Sequence, residues 1–184
     1  MGSHPPGLTW QLIEAARARI APFIHTTPVL TSTTLDERAG ARLFFKCENF
    51  QKGGAFKARG ASNAVFGLTE AQACRGVATH SSGNHAAALA RAARLRGIPA
   101  YIVMPQNTPL AKRAAVEREG AIITLCEPTL AARERTAREV MAATAMPLKS
   151  PPPLTGASTM SRSATCSRSS TPTVACPAIT VRSS

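Results

Sequence analysis

Between residues 76 and 143 the chain repeats one pattern three times: a short apolar run, a turn, then a stretch with helical spacing. The apolar runs are Gly76 to His80, Ala100 to Met104 and Ala121 to Leu125; the helical stretches are Asn84 to Arg96, Pro109 to Glu119 and Leu130 to Ala143. Gly97 and Gly120 stand where a left-handed residue is needed to end a helix, and Pro99 and Pro128 mark the connections. Three successive strand and helix units with short apolar strands predict an α/β fold, a doubly wound parallel sheet with helices on both faces. In that architecture ligands meet the loops at the carboxyl ends of the strands, so chemistry is to be sought there.

Upstream the pattern is looser. Leu8 to Ala21 predicts an amphipathic helix, with Leu12, Ile13, Ala16 and Ile20 on one side and Gln11 and Glu14 on the other. Leu43 to Cys47 predicts a short strand and Ala58 to Leu68 a helix.

Composition narrows the function classes. At 184 residues and 44% apolar, the chain can bury a core over much of its length. No apolar run reaches the roughly 18 to 20 residues that a membrane-spanning helix needs, and Met1 to Gly7 lacks the charged start and apolar stretch of a secretory leader. A cytoplasmic location without a membrane partner is therefore expected. The cysteines at 47, 74, 126, 166 and 176 form no C-x-x-C pair and are odd in number, so reduced thiols are expected, with Cys47 and Cys126 as small apolar residues. His4, His25, His80 and His85 show no ligand spacing, and no metal site is expected.

A net charge of +12 raises nucleic-acid binding as a rival reading. The basic residues, however, alternate with acids, as in Lys112, Arg113, Glu117, Arg118 and Glu119, and one Trp, one Tyr and six Phe leave little to stack bases on. No nucleic-acid partner is expected.

The composition breaks near residue 145. Beyond Glu139 there is no Asp or Glu, while Ser, Thr and Pro dominate and Pro151, Pro152 and Pro153 are consecutive. Such a segment buries too little apolar surface to offset its ordering entropy, and disorder is expected from about residue 148. An acid-free end rich in Ser, Arg, Pro, Ala and Thr is what out-of-frame translation of a GC-rich gene looks like, a reading favoured over that of a basic partner-binding arm.

Two loops carry residues with chemical potential. Thr79-His80-Ser81-Ser82-Gly83-Asn84-His85 joins a strand to an Ala-rich helix, and its hydroxyls, glycine and Asn suit an anion site at a helix start. A plain helix cap explains the same residues equally well. In Gln51-Lys52-Gly53-Gly54-Ala55-Phe56-Lys57-Ala58-Arg59-Gly60-Ala61, paired glycines permit close backbone approach, and a lysine beside an aromatic at a helix start suits an imine-forming amine. A solvated Lys/Arg helix face is the alternative.

Taken together with their surroundings, the loops carry a resemblance. Thr27-Pro28, Phe45-Lys46-Cys47-Glu48-Asn49-Phe50-Gln51, Gly54-Ala55-Phe56-Lys57-Ala58-Arg59-Gly60-Ala61, Ser81-Ser82-Gly83-Asn84-His85-Ala86 and Gly97-Ile98-Pro99-Ala100-Tyr101-Ile102-Val103-Met104-Pro105 occur in this order. The order is similar to that of fold-type II pyridoxal-phosphate enzymes, and the two loop forms resemble the serine/threonine dehydratase (threonine ammonia-lyase) and serine racemase group. The resemblance runs from about residue 8 to 144. Ala55 stands where many members carry Ser.

The resemblance implies a tryptophan synthase β-like fold and pyridoxal 5'-phosphate as cofactor. Residues 1–52 would belong to the large domain, 53–147 would form the small α/β domain, and 148–184 would be the tail. Lys57 would hold the cofactor and remove the substrate's α-proton. Phe56 would pack against the ring and Asn84 would hydrogen-bond its 3′-oxygen. Ser81, Ser82, Gly83, Asn84 and His85 would hold the substrate carboxylate, and Ser82 would reprotonate the α-carbon in a racemase. The implied activity is dehydration of L-serine or L-threonine, or serine racemisation, in a family that is homodimeric or larger. The family's later half supplies a glycine-rich phosphate loop that is not recognisable after residue 145. A truncated, impaired enzyme is the leading expectation, and a non-catalytic fragment that binds a partner chain is the alternative.

Overall fold

The computed structural model describes residues 9–145. The disorder expected from residue 148 lies outside them. The first helix, α1, spans Trp10–Ile20 rather than starting at Leu8, because Thr9 is extended and its hydroxyl caps the Leu12 N–H at 3.3 Å. An antiparallel ribbon follows, built from β1 (Val29–Leu30) and β2 (Phe45–Lys46) with Val29 opposite Lys46. Between its strands lies α2 (Thr33–Ala39), ended by Gly40 at φ 62°. The strand expected at Leu43 to Cys47 is thus real but only two residues long.

A turn over Lys52–Gly54 leads into α3 (Lys57–Phe66), and the short α4 (Glu70–Ala73) is opened by a reciprocal capping box between Thr69 and Gln72. Then come the three expected units: β3 (Val77–His80) with α5 (Asn84–Arg96), β4 (Ala100–Pro105) with α6 (Leu110–Glu117), and β5 (Ile122–Cys126) with α7 (Leu130–Ala145). Gly97 and Gly120 adopt φ of 74° and 76°, as their positions after helices require.

The three strands are parallel in the order β3-β4-β5, with Val77 opposite Ala100 and Tyr101 opposite Ile122. β4 is central and every one of its residues is buried. Successive strand side chains point to opposite faces, which sorts the helices. Ala100, Ile102 and Met104 join a core with residues of α3, α5 and α6, whereas Val103 packs with Cys126 and with Ala137 of α7. The sheet is covered on both faces, as expected of a doubly wound α/β fold. Alanines at 86, 90, 92 and 93 let α5 lie close between the sheet and α3, and Leu89 fills the space between them.

α1 departs from expectation in what it buries. Only Ile20 is buried; Leu12 and Ile13 of the anticipated apolar stripe are exposed, as is Trp10 at 67%. Its last turn and the residues after it make the contact with α3: Arg19 Nη1 donates to Asn63 Oδ1 at 2.6 Å, and Phe23 stacks on Phe66 with ring centroids 3.7 Å apart.

Candidate active site

Lys57 is the first residue of α3 and Asn84 the first residue of α5. The two helices pack side by side and run in the same direction. At their far ends Arg96, in the last turn of α5, donates to the carbonyls of Val65 and, at 2.7 Å, Leu68 just beyond α3. At their near ends Ala55, Ala58, Asn84 and Ala87 line one cavity. Two loops far apart in sequence are thereby brought to one end of the molecule.

The start of α5 is not a plain cap. Gly83 is the cap residue and offers no side chain, and the Ser81 hydroxyl turns back to accept from the Gly83 N–H at 3.4 Å. The first N–H groups of a helix have no carbonyl within it, and they carry the positive end of its dipole, so an end without a side-chain cap suits an anion. Ser81, Ser82 and Gly83 are half-buried and Asn84 is exposed. His85 is buried.

Lys57 is half-buried rather than extended into bulk water, with Nζ 4.9 Å from the centroid of the Phe56 ring. Phe56 itself is exposed at 59%. The cavity between the Lys52–Gly54 turn, α3, α5 and α6 has a volume of about 430 Å³, and Lys57 is not among its lining residues.

A polar frame that the sequence reading missed surrounds the lysine turn. Glu48 Oε1 accepts from the Thr27 hydroxyl at 2.6 Å and Arg59 Nη2 at 2.7 Å, while Oε2 accepts from Arg59 Nε at 2.8 Å. Lys46 Nζ donates to the Thr27 carbonyl at 2.6 Å. The forked hydrogen bond from Arg59 holds the Glu48 carboxyl down at about 2, against the upward pull of partial burial, with Thr27 and the charge of Lys46 assisting. Arg59 is correspondingly raised by Glu48. Buried Cys126 has its thiol pushed up by desolvation, which fits its reading as a small apolar residue. Among the described residues no His, Cys, Asp and Glu cluster suits a metal ion, and no helix is long and apolar enough to cross a membrane.

Residues 20–159 match the family described as pyridoxal-phosphate dependent enzyme. The chain belongs to this family. A β-hydroxyaspartate dehydratase from Paracoccus denitrificans (strain Pd 1222) is 58% identical over 136 residues, which is 74% of this chain and 43% of that protein. The solved structure of maize serine racemase superposes with a TM-score of 0.69 at 52% identity, covering 73% of this chain and 41% of its own. A serine racemase from Dictyostelium discoideum superposes with a TM-score of 0.71 at 46% identity, covering 74% and 45%, and a solved threonine deaminase with a TM-score of 0.66 at 41% identity, covering 74% and 43%. The chain therefore spans about two fifths of the length of the relatives it matches.

Family members use pyridoxal 5'-phosphate, and the residues present fit that group. A half-buried primary amine with an exposed aromatic ring beside it suits a flat aldehyde, and the helix start without a side-chain cap leaves a place for a substrate carboxylate.

Proposed function

We propose that this chain carries the lysine-bearing part of a pyridoxal-phosphate-dependent dehydratase (ammonia-lyase) acting on L-serine or L-threonine, with serine racemisation as a second outcome at the same site. The supporting observation is the parallel packing of α3 and α5, which sets Lys57 and the Ser81 to His85 loop at one end. Relatives named as dehydratase, racemase and threonine deaminase support the same reading.

When bound, pyridoxal phosphate supplies an electron-accepting ring joined to the substrate nitrogen, which makes the α-proton removable. Lys57 would hold the cofactor and would take the substrate's α-proton on Nζ. Phe56 would pack beside the cofactor ring, and Asn84 would hydrogen-bond its 3′-oxygen. The start of α5, through Ser81, Ser82, Gly83, Asn84 and His85, would hold the substrate carboxylate. Ser82 Oγ returns a proton to the α-carbon when the outcome is racemisation. The overall dehydration converts a β-hydroxy amino acid to a 2-oxo acid and ammonia.

The test is to supply pyridoxal phosphate with L-serine, L-threonine or 3-hydroxyaspartate and measure 2-oxo acid. Product at an impaired rate is expected from the parent and none from Lys57→Ala, and a Ser82→Ala variant should lose interconversion of D- and L-serine while retaining dehydration. Equal product from Lys57→Ala contradicts the assignment.

One observation favours a second reading, a non-catalytic chain that binds a partner. Trp10, Leu12, Val29, Leu30, Phe44 and Phe50 are all exposed, apolar side chains that a partner chain could cover. Absence of product from every substrate, together with a stable complex weakened by polar substitution of these residues, selects it.

A further inference from the structure

The turn that delivers Lys57 is intrinsically pliable. Gly53 and Gly54 have φ of 69° and 68°, two successive left-handed residues, and a Cβ added at either would meet no side chain within 4 Å. Something outside the turn must define where the amine sits.

Both flanks of the turn are tied. In front, the buried Gln51 clamps the backbone of His25, with Oε1 accepting from the His25 N–H at 2.8 Å and Nε2 donating to its carbonyl at 2.9 Å. The same Oε1 accepts from the Lys52 N–H at 2.9 Å. Behind, Arg59 lies two residues after Lys57 in the first turn of α3, and its guanidinium forks onto Glu48 across the ribbon's end. Thr27, buried between them, hydrogen-bonds to Glu48 and to Arg59 Nη2 at 3.3 Å. Charge-assisted forked bonds of this kind fix orientation as well as distance.

We propose that Glu48 and Arg59 are positioning residues for Lys57, locking the first turn of α3 to the ribbon so that the lysine amine keeps one place at the start of α5. The inference rests on Lys57 being the cofactor lysine, and it assigns to the motif's carboxylate and guanidinium a role separate from contact with substrate.

The experiment uses the full chain without cofactor. Lysine amines are acylated with trace acetic anhydride at fixed pH and mapped by mass spectrometry, with Lys112 on α6 as the internal reference. Glu48→Gln and Arg59→Lys are each expected to change the Lys57 to Lys112 labelling ratio by about threefold or more, since small displacements of a held group alter its reactivity strongly. Arg59→Lys keeps the charge but loses the fork, so it is not expected to restore the parent ratio; it also carries the test if Glu48→Gln does not fold. A core control, Leu89→Val, should lower the melting temperature without moving the ratio. An unchanged ratio in variants whose melting temperature falls as far as the control's overturns the proposal and leaves the pair merely structural. Failure of the cofactor reading is seen separately, as absence of pyridoxal phosphate from Lys57 in the parent protein.

Discussion

The stretch from α3 to β5 and the stretch from α1 to the lysine turn are held together by different forces. In the former, Val65, Leu89, Ile102, Met104 and Val116 are sealed between helices and a parallel sheet. In the latter, Trp10, Leu12, Phe44 and Phe50 lie open, and beyond buried Ile20, the Phe23 to Phe66 stack and the Arg19 to Asn63 bond the order comes from the Glu48 to Arg59 pair, the Gln51 clamp and the Lys46 to Thr27 bond. The lesson is that hydrophobic burial fixes the scaffold, while a polar frame fixes the segment that carries Lys57 against it. Packing changes should therefore dominate one region and protonation the other.

The largest stability effect is expected in the sheet unit. Leu89→Ala removes a fully buried side chain and should cost about 3 kcal/mol in urea unfolding; a loss below about 1 kcal/mol would break the contrast. Gly76→Ala comes next. Gly76 has φ 80°, and a Cβ there would lie 2.4 Å from the Pro99 carbonyl oxygen, which the Val77 N–H needs as acceptor at 2.9 Å. A cost of roughly 2 kcal/mol or more is expected from strain and displacement of that strand pair.

The polar frame should respond to pH. Glu48 is lowered from 4.5 to about 2 in the folded chain, so its contribution is fully present above its unfolded value and is lost as pH falls toward 2. Because the pair is partly exposed, the effect is on the order of 1–2 kcal/mol. The stability gap between parent and Glu48→Gln should be widest near neutrality and should close between about pH 5 and 2. A gap that stays constant over that range would assign the cohesion elsewhere. The smallest effect belongs to Trp10→Ser and Leu12→Ser, expected to change unfolding stability by less than about 0.5 kcal/mol while reducing the binding of an apolar dye.

The sheet unit was legible because each of its parts leaves a local mark: apolar runs for strands, Gly97 and Gly120 after helices, an Ala-rich stretch for the closely packed α5. The ribbon was half-legible, since two-residue strands carry no periodicity and Val29–Leu30 reads as any apolar pair. The seven residues of α2 and the four of α4 are too short for a helical period to show. At the candidate site Lys57 and Ser81 to His85 stood out through the resemblance, but the Glu48 to Arg59 contact did not. It spans eleven positions and a turn whose path depends on Gly53 and Gly54 being left-handed. The available signal was a carboxylate and a guanidinium placed among apolar and small residues, each in need of a partner.

The central claim is that Lys57 is the amine that holds pyridoxal phosphate. Borohydride reduction of the protein with pyridoxal phosphate at low excess, followed by peptide mapping, tests it most directly. The expected result is a phosphopyridoxyl group concentrated on Lys57, with little on Lys46, Lys52 or Lys112. Label spread evenly over those lysines, or absent from Lys57, would contradict the account.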